Sequence, residues 1–178
     1  MEKSYKEILQ HITTFIFDVD GVLTNGIVNV MSNGDLIRRM NVKDGYALKQ
    51  AVDQGYNVAI ISGGNNEGVR TRLKGLGIND VYLGTRNKII QFNEYCKLYN
   101  LNPKNIMYMG DDIPDAEVMK VVGLACAPQD ADSEIQRIAH YISHKKGGET
   151  CVRDVIEQVL RVQGNWKFNL NKNETAAN

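Results

Sequence analysis

The stretch TTFIFDVDGVLTNG, residues 13–26, decides how this chain folds. Its core, FIFDV (15–19), has the short run of large apolar residues that is typical of a buried strand. Two carboxylates, Asp18 and Asp20, stand at the end of this run, and Gly21 follows them. A glycine at that point allows a sharp turn, which would bring both acids to one side of the strand end. The stretch therefore predicts a buried strand that delivers two acids to a single site.

Short apolar runs and helical patterns alternate along the rest of the chain. The runs have the length of buried strands, whereas the segments between them repeat apolar residues at helical spacing. Strands that alternate with helices are typical of a parallel sheet with helices on both faces. We therefore predict an α/β fold with a Rossmann-like parallel sheet. The further predicted strands are 57–62, 80–84, 106–110 and 123–127, and the predicted helices are 44–55, 66–77, 86–101, 114–123, 132–139 and 150–164.

Residues 26–42 interrupt this alternation. They contain the sequence SNGD between two segments whose apolar residues partly alternate. An Asn-Gly pair in such a setting is a strong signal for a β-hairpin. We predict a hairpin inserted directly after the first strand, within one domain that covers residues 1–166. The last stretch, 167–178, is polar and aperiodic, and we predict that it is a disordered tail.

The composition argues against some classes of function. The chain has 178 residues, enough for one domain with a sizeable core, and its 21 basic and 21 acidic residues leave no net charge. This balance argues against a protein that binds nucleic acid or a membrane surface through its overall charge. The three cysteines, Cys96, Cys126 and Cys151, lie far apart and form no zinc-binding pattern. Because no apolar leader or membrane-spanning stretch stands out either, we expect a cytoplasmic protein.

The residues just beyond the predicted strands carry most of the reactive side chains. In a parallel α/β sheet, the carboxyl ends of the strands meet at one edge, and ligands bind there. Carboxylates crowded at such an edge repel each other unless a cation lies between them, and Mg²⁺ suits a set of oxygen ligands. These residues are Asp18 and Asp20 after the first strand, Ser62 and Gly63 after the second, Lys88 at the start of a helix, and Asp111, Asp112 and Asp115 after the strand at 106–110.

A cation, a lysine and a hydroxyl beside a carboxylate make a site for a phosphate group. One carboxylate can attack phosphorus and form an aspartyl-phosphate. A second acid two residues away can protonate the leaving oxygen and later activate water. Taken alone, Ser62 would more often be a turn residue and Lys88 a solvated helix residue. The ordered set favours the catalytic interpretation.

These motifs resemble those of the haloacid dehalogenase-like phosphatases. FDVDGVLT is similar to their first motif, IISGG to their second, Lys88 to their third and MGDDIPD to their fourth, in the same order over residues 13–130. The resemblance implies that Asp18 is the nucleophile and that Asp20 is the general acid and base. It also implies that Ser62 and Lys88 bind phosphate. The implied ligands of Mg²⁺ are Asp18, Asp20 through its carbonyl, Asp111 and Asp112.

The hairpin and one helix fill the interval between the first and second motifs, which leaves no room for the cap domain of many family members. A finer resemblance is to cap-less, tetrameric sugar-acid phosphatases that act on 3-deoxy-D-manno-octulosonate 8-phosphate. NVKDGYALKQA, VRTRLKGLGI and ISHKKGGETCVRDVIEQVL carry it. It implies a small-molecule sugar-acid phosphate as substrate and a homotetramer built on the hairpins, in which the segment near KKGG reaches a neighbour's site. The implied substrate-binding residues are Thr24, Lys43, Asp44, Gly63, Arg72, Asp115 and Glu149.

Two positions depart from the octulosonate phosphatases. Those enzymes often have arginine where this chain has Glu149, and a cation in the turn that here contains Gly64. Phosphatases of nine-carbon sugar acids carry a tail glutamate, but they tend to have Glu and Lys where this chain has Gly64 and Gly75. We therefore expect the octulosonate 8-phosphate, a lipopolysaccharide precursor, as substrate. A nonulosonate 9-phosphate of the sialic acid type is the alternative.

Two further hypotheses concern proteins that are not phosphatases. A receiver domain also gathers acids, a hydroxyl and a lysine on a parallel sheet, but its acidic pair lies on the first strand and its phosphoacceptor on a middle strand. Here the DxD motif comes first, and Asp111 and Asp112 come last. A catalytically inactive sugar-phosphate-binding protein would lack one of the catalytic residues of the motifs. None of these residues is missing from this sequence. Turnover with Mg²⁺ would separate a phosphatase from both.

Overall fold

The structure is a computed structural model that describes residues 5–167. Apart from Lys167, the predicted tail at 167–178 lies outside the described residues. Single 3-10 turns cover Pro103–Asn105 and Ile113–Asp115. The strands are β1 (Thr14–Phe17), β2 (Asn29–Val30), β3 (Leu36–Ile37), β4 (Asn57–Ile61), β5 (Asp80–Tyr82), β6 (Ile106–Met109), β7 (Leu124–Ala127) and β8 (Tyr141–Ile142), and the helices are α1 (Tyr5–Leu9), α2 (Val42–Asp53), α3 (Glu67–Lys74), α4 (Lys88–Leu98), α5 (Ala116–Met119), α6 (Ser133–Ile138) and α7 (Cys151–Val162).

Six of these strands form one parallel sheet in the order β5–β4–β1–β6–β7–β8. β1 lies near the centre, where Thr14 to Phe17 pair with β4 on one side and with β6 on the other. A strand in this position is covered on both faces, and all four residues of β1 are buried. The carboxyl ends of β1, β4 and β6 therefore meet at the middle of one edge of the sheet.

Helices cover both faces of this sheet, which confirms the predicted α/β fold. Successive side chains of a strand point to opposite faces, so Phe15 and Phe17 enter one core cluster and Ile16 enters the other. On the first face α2 packs against α7. On the second face lie apolar residues of α4, α5 and α6, among them Phe92 and Ile135. None of the helices within residues 5–167 is both long and apolar enough to cross a membrane.

The hairpin after β1 is present but has shorter strands than the sequence suggests. β2 and β3 pair antiparallel over two residues each, Asn29 with Ile37 and Val30 with Leu36. Gly34 takes a positive φ of 88° in the connecting turn, a conformation that favours glycine. The described residues contain no cap domain, as predicted, so the carboxyl edge of the sheet is open.

Sequence patterns missed α1 and β8 and overestimated α5. A five-residue helix and a two-residue strand are too short to show a hydrophobic period. The helix predicted at 114–123 is shortened because a 3-10 turn precedes it. The side chains of Asp112 and Asp115 cap this turn reciprocally by accepting backbone N–H groups.

Candidate active site

An open pocket of about 430 Å³ lies at the carboxyl edge of the central strands. β1 leads into it through Asp18, β4 through Ser62 and β6 through Asp111. The topology thus gathers residues that are far apart in sequence. The sequence-predicted site residues that line this pocket are Asp18, Asp20, Ser62, Gly63, Lys88, Asp111, Asp112 and Asp115.

Asp18 is held firmly at the end of β1. Its backbone N–H donates to the Met109 carbonyl at 3.1 Å and extends the ladder towards β6. Its Oδ1 accepts the Val19 N–H at 2.6 Å, and its Oδ2 accepts a hydrogen bond from Lys88 Nζ at 2.6 Å. The orientation of the carboxylate is therefore fixed by both neighbours.

Lys88 links Asp18 to a second, fully buried acid. Its Nζ lies 2.7 Å from Asp115 Oδ1, and Asp115 also accepts hydrogen bonds from the Tyr108 hydroxyl and the Asp111 N–H. Burial opposes the charged ammonium, but the two carboxylates outweigh it and raise the pKa of Lys88 above its usual value. Asp115 therefore keeps Lys88 charged and in place.

Asp18, Asp111 and Asp115 form an acidic cluster in which one oxygen from each lies within 4.8 Å of the others. Burial and the nearby Asp115 raise the pKa of Asp18 to about 6. Burial and the nearby Asp18 raise the pKa of Asp111 to about 8. Asp111 Oδ1 is buried without a hydrogen-bond partner among the described residues. Crowded oxygens of this kind suit a hard divalent cation.

Gly21 makes the close approach of Asp111 possible. A Cβ atom at this position would lie only 1.9 Å from Asp111 Oδ2, and Gly21 has a positive φ of 83°. Any other residue would therefore both strain the turn and displace the acid. This explains the glycine that follows the two acids of the opening motif.

Asp112 and Asp115 both line the pocket, but they differ in exposure and in their contacts. Asp112, a predicted metal ligand, is exposed, and its Oδ1 accepts the Ile113 N–H at 2.8 Å. Asp115, predicted to bind substrate, is fully buried and joins the acidic cluster. The 3-10 turn at Ile113–Asp115 is the physical reason, because it turns Asp115 back towards Lys88.

Asp20 makes a contact that the sequence did not predict. Arg38, from the hairpin, donates to both of its carboxylate oxygens, with Nε–Oδ1 at 2.7 Å and Nη2–Oδ2 at 2.9 Å. These hydrogen bonds raise the pKa of Arg38 above its usual value. No motif marks Arg38, because it lies in an irregular segment and meets Asp20 only through the fold.

Ser62 and Gly63 form the second wall of the pocket. The Ser62 backbone N–H donates to the Tyr82 carbonyl at 2.9 Å, which continues the pairing of β4 with β5. Its Oγ accepts the Gly64 N–H at 3.3 Å, so the hydroxyl hydrogen stays available to a ligand. Arg86 also lines the pocket, although no sequence pattern singled it out.

Thr24 and Asp44, both predicted to bind substrate, are instead buried inside the protein. The Thr24 hydroxyl accepts the N–H groups of Gly21 and Gly26 at 3.4 and 3.2 Å, which closes the loop after β1. Asp44 Oδ1 accepts the Arg153 N–H at 2.8 Å at the start of α7. Because both side chains are used by the fold, they do not contact the pocket.

Lys43, Arg72 and Glu149 also lie outside the pocket of their own chain. Arg72 lines a separate groove of about 530 Å³ beside the hairpin, while Lys43 and Glu149 are exposed. The backbone next to Glu149 packs on the loop after β1, where the Gly148 N–H donates to the Val22 carbonyl at 2.9 Å. The placement of Glu149 at a neighbour's site stays a prediction.

Comparison with known proteins places this site in a family. The profile of the haloacid dehalogenase-like hydrolases matches residues 77–156. The 3-deoxy-D-manno-octulosonate 8-phosphate phosphatase of Salmonella typhi is 38% identical over 155 residues, which are 87% of this chain and 82% of that enzyme.

Solved structures agree with this comparison. The phosphatase of the same name from Yersinia pestis has a TM-score of 0.89 and 32% identity, and the match covers 93% of this chain and 89% of that one. The Moraxella catarrhalis enzyme, in complex with magnesium ion, phosphate ion and KDO, has a TM-score of 0.87 and 30% identity over 90% and 92% of the two chains. Fold and site thus define a haloacid dehalogenase-like hydrolase without a cap. Within that class, the chain belongs to the family of the 3-deoxy-D-manno-octulosonate 8-phosphate phosphatases.

Proposed function

We propose that this protein is a Mg²⁺-dependent phosphatase that hydrolyses 3-deoxy-D-manno-octulosonate 8-phosphate through an aspartyl-phosphate intermediate. The observation that carries this proposal is the placement of Asp18 at the centre of the open edge, paired with Lys88 and sharing a pocket with Ser62 and Asp20. The identity to octulosonate phosphatases over most of the chain supports the choice of substrate.

In the first step, the phosphate group binds between Lys88 and Ser62. Lys88 offsets its negative charge, and the Ser62 hydroxyl donates a hydrogen bond to a phosphoryl oxygen. A carboxylate oxygen of Asp18 attacks phosphorus while the bond from phosphorus to the sugar oxygen breaks. Asp20 gives its proton to that leaving oxygen, so the sugar acid departs as an alcohol.

In the second step, water attacks the phosphorus of the aspartyl-phosphate. Asp20, now a carboxylate, accepts a proton from this water. The bond between phosphorus and the Asp18 oxygen breaks, which releases phosphate and restores the Asp18 carboxylate. Asp115 takes part by holding Lys88 in position.

The donor set fits a magnesium ion. Asp18 and Asp111 would hold it together with the Asp20 carbonyl. Asp111 Oδ1 is buried without a partner among the described residues, and burial and mutual repulsion raise the pKa values of Asp18 and Asp111, so a cation among these oxygens would offset their crowded charge. When bound, the ion offsets negative charge on the phosphoryl oxygens. Asp112, which caps the following turn, supports this arrangement from outside the cluster.

A panel of sugar-acid phosphates tests this function. We expect the octulosonate 8-phosphate to give the highest kcat/KM, and we expect EDTA to remove the activity and Mg²⁺ to restore it. Lack of turnover of every sugar-acid phosphate in the presence of Mg²⁺ would refute the proposal, since a receiver or a binding protein would behave in this way.

The carboxylate of Glu149 is the observation that supports an alternative substrate, a nonulosonate 9-phosphate. The side chain is exposed in the segment at 145–152, and a carboxylate there would disfavour a sugar carboxylate beside it and favour hydroxyls or an amine. Glu149→Arg should therefore raise the ratio of kcat/KM for the octulosonate phosphate to that for the nine-carbon substrate. Glu134→Arg, on the exposed surface of α6, is the matched control. An unchanged ratio in Glu149→Arg would remove this role.

We also infer that the protein is a homotetramer of the cytoplasm. The hairpin exposes several apolar side chains, including Ile27 and Val30, which are 63% and 74% exposed. A small hairpin with such a surface invites pairing with other copies. Closed symmetry would bring the 145–152 segment of one subunit near the pocket of another, where it would replace the absent cap. The three cysteines are free and buried, which is consistent with a reducing compartment.

A further inference from the structure

We propose that Arg38 is a positioning residue for the proton transfers, because it holds the carboxyl group of Asp20 towards the reacting oxygen. This proposal rests on the function proposed above. It assigns to the hairpin a part in the chemistry, in addition to any part in assembly.

The geometry of the contact is that of a two-point clamp. Nε and Nη2 of Arg38 each donate to a different oxygen of Asp20, at 2.7 and 2.9 Å. Two parallel bonds fix the plane of a carboxylate as well as its distance, whereas a lysine would fix only the distance. The Arg38 side chain is 7% exposed, and that of Asp20 is 32% exposed. The buried partner therefore orients the more accessible one.

Arg38 has little capacity left for the substrate itself. Its third nitrogen, Nη1, faces the Leu36 carbonyl at 3.5 Å. Two of the three guanidinium nitrogens are already used by Asp20, and the side chain is almost enclosed. A direct role in binding the sugar carboxylate would require the pair to break. The geometry therefore points to a role through Asp20.

A separate hydrogen bond joins the hairpin that carries Arg38 to the rest of the protein. Asn66 Nδ2 donates to the Leu36 carbonyl at 3.0 Å, and Asn66 Oδ1 accepts the Val69 N–H at 3.0 Å as the cap of α3. One side chain thus joins the hairpin to the first turn of α3. This contact holds β3, which directly precedes Arg38, against the loop after β4.

Gly64 lets this arrangement fit. A Cβ atom at Gly64 would lie 2.9 Å from Asp20 Oδ2 and 3.2 Å from Arg38 Nη2. Any side chain in this turn would press on both members of the pair. The Gly64 backbone has no positive φ, so an alanine there would disturb the pair without straining the main chain.

The consequence for the reaction concerns the proton on the leaving oxygen. The observed pair is that of the Asp20 carboxylate, the form that accepts the proton of water in the second step. In the first step one Asp20 oxygen carries a proton while the other still accepts from Arg38, and this proton must reach the sugar oxygen as its bond to phosphorus breaks. Proton transfer of this kind requires hydrogen-bond distance and alignment. A misplaced Asp20 slows the release of a poor leaving group, such as a sugar alkoxide, but has less effect on a good one, such as p-nitrophenolate.

The test compares these two leaving groups in Arg38→Gln. We expect kcat for the octulosonate 8-phosphate to fall roughly 10- to 100-fold with little change in KM, as part of the general acid contribution of about 10²–10⁴-fold. We expect a several-fold smaller loss of kcat/KM with p-nitrophenyl phosphate. Arg38→Lys should recover part of the lost kcat. Arg39→Gln removes a neighbouring charge that makes no ion pair in the described part of the chain, and it should leave the ratio of the two substrates unchanged.

Gly64→Ala gives a second test, which keeps the charges of Arg38 and Asp20. If Arg38→Gln does not fold, this variant tests whether the Arg38–Asp20 pair positions Asp20. It should lower kcat for the sugar phosphate more than for the aryl phosphate. Equal losses on both substrates, or a higher KM at constant kcat, would overturn the proposal. If the wild-type protein ignores the octulosonate phosphate, the proposed substrate is wrong. The same comparison is then made with whichever alkyl phosphate the protein hydrolyses.

Discussion

At the scale of single residues, Asp18 combines rigidity with reactivity. Its two oxygens are fixed by Val19 and Lys88, and its pKa is raised to about 6 by burial and by Asp115. Its carboxylate form is still present at neutral pH, because that pKa lies below 7. The site thus holds an ionised nucleophile in one orientation at the end of a rigid strand.

Asp18→Asn should abolish turnover while the protein stays folded. The amide has the shape of the carboxylate and can still accept the Val19 N–H, but it cannot attack phosphorus. The measurements are kcat with the octulosonate phosphate and the melting temperature by circular dichroism. Turnover close to that of the wild type would show that another group is the nucleophile.

Asp111 provides a test for the metal that does not depend on activity. Mg²⁺ should raise the melting temperature of the wild type, because a bound cation removes the repulsion among buried carboxylates. In Asp111→Asn this rise should be largely lost. Asp112→Asn is the matched control. It should lose less of the rise in melting temperature, because Asp112 lies outside the acidic cluster. Equal melting temperatures of the wild type in EDTA and in Mg²⁺ would contradict the magnesium site.

Whether a site residue could be predicted from the sequence depends on whether it follows a regular strand or lies in an irregular segment. Asp18 and Ser62 directly follow buried strands, and Asp111 stands two residues after the end of β6, so the topology alone brings them together. Arg38 could not be found, because a two-residue strand in an irregular hairpin does not define where its neighbours point. Asp44 is buried at the start of α7 and lies outside the pocket of its own chain, and a resemblance cannot distinguish an acid that faces a ligand from one that accepts the N–H groups of a helix end.

At the scale of elements, Asp44 joins α2 to α7. Its Oδ1 accepts the Arg153 N–H, whereas its Oδ2 has no partner among residues 5–167. Burial, opposed by hydrogen bonds from the backbone, raises the pKa of Asp44 to about 6 from an ordinary value of 3.8. The protonated form is therefore favoured in the folded protein relative to the unfolded chain.

This shift fixes the sign of a pH dependence. Between pH 4 and 6 the folded state holds a proton on Asp44 that the unfolded chain has lost, so stability falls as the pH rises through this window. Two pKa units correspond to at most about 3 kcal/mol. Asp44→Asn keeps the acceptor for Arg153 and cannot ionise. The free energy of unfolding of Asp44→Asn, relative to that of the wild type, should therefore rise between pH 4 and 6 and stay constant above that range.

Urea denaturation of both proteins from pH 4 to 7.5 measures this difference. Asp53→Asn, at the exposed end of α2, is the matched control and should show no such trend, because its carboxylate is half exposed. If the wild type instead becomes more stable relative to Asp44→Asn as the pH rises, the start of α7 stabilises the ionised carboxylate. The raised pKa assigned to Asp44 would then be wrong.

The elements themselves follow the sequence closely where they are long. α2, α4 and α7 appear where helical spacing predicted them, because each has enough turns to show an apolar face. α1 and β8 escaped notice because short elements are stabilised by tertiary contacts rather than by a periodic pattern. β8 exists only as an edge strand paired with β7.

At the scale of the whole molecule, the hairpin should determine assembly. Val30→Glu places a charge in the exposed apolar surface and should dissociate the proposed tetramer, as measured by light scattering. Activity should fall as well, because the hairpin carries Arg38. Leu98→Glu is the control, since Leu98 is equally apolar and 69% exposed but lies at the end of α4. A fully active wild-type monomer would contradict the shared-site arrangement.

The strand order also governs how the chain is made. β1 is synthesised before both of its neighbours in the sheet, β4 and β6. At about 5–20 residues per second, Met109 is added roughly 5–18 s after Phe17. During that time the apolar strand lacks a partner on at least one side, which makes the nascent chain prone to pair with others. Asp18 is made early, and it belongs to an active site only after Asp111 and Asp115 have left the ribosome.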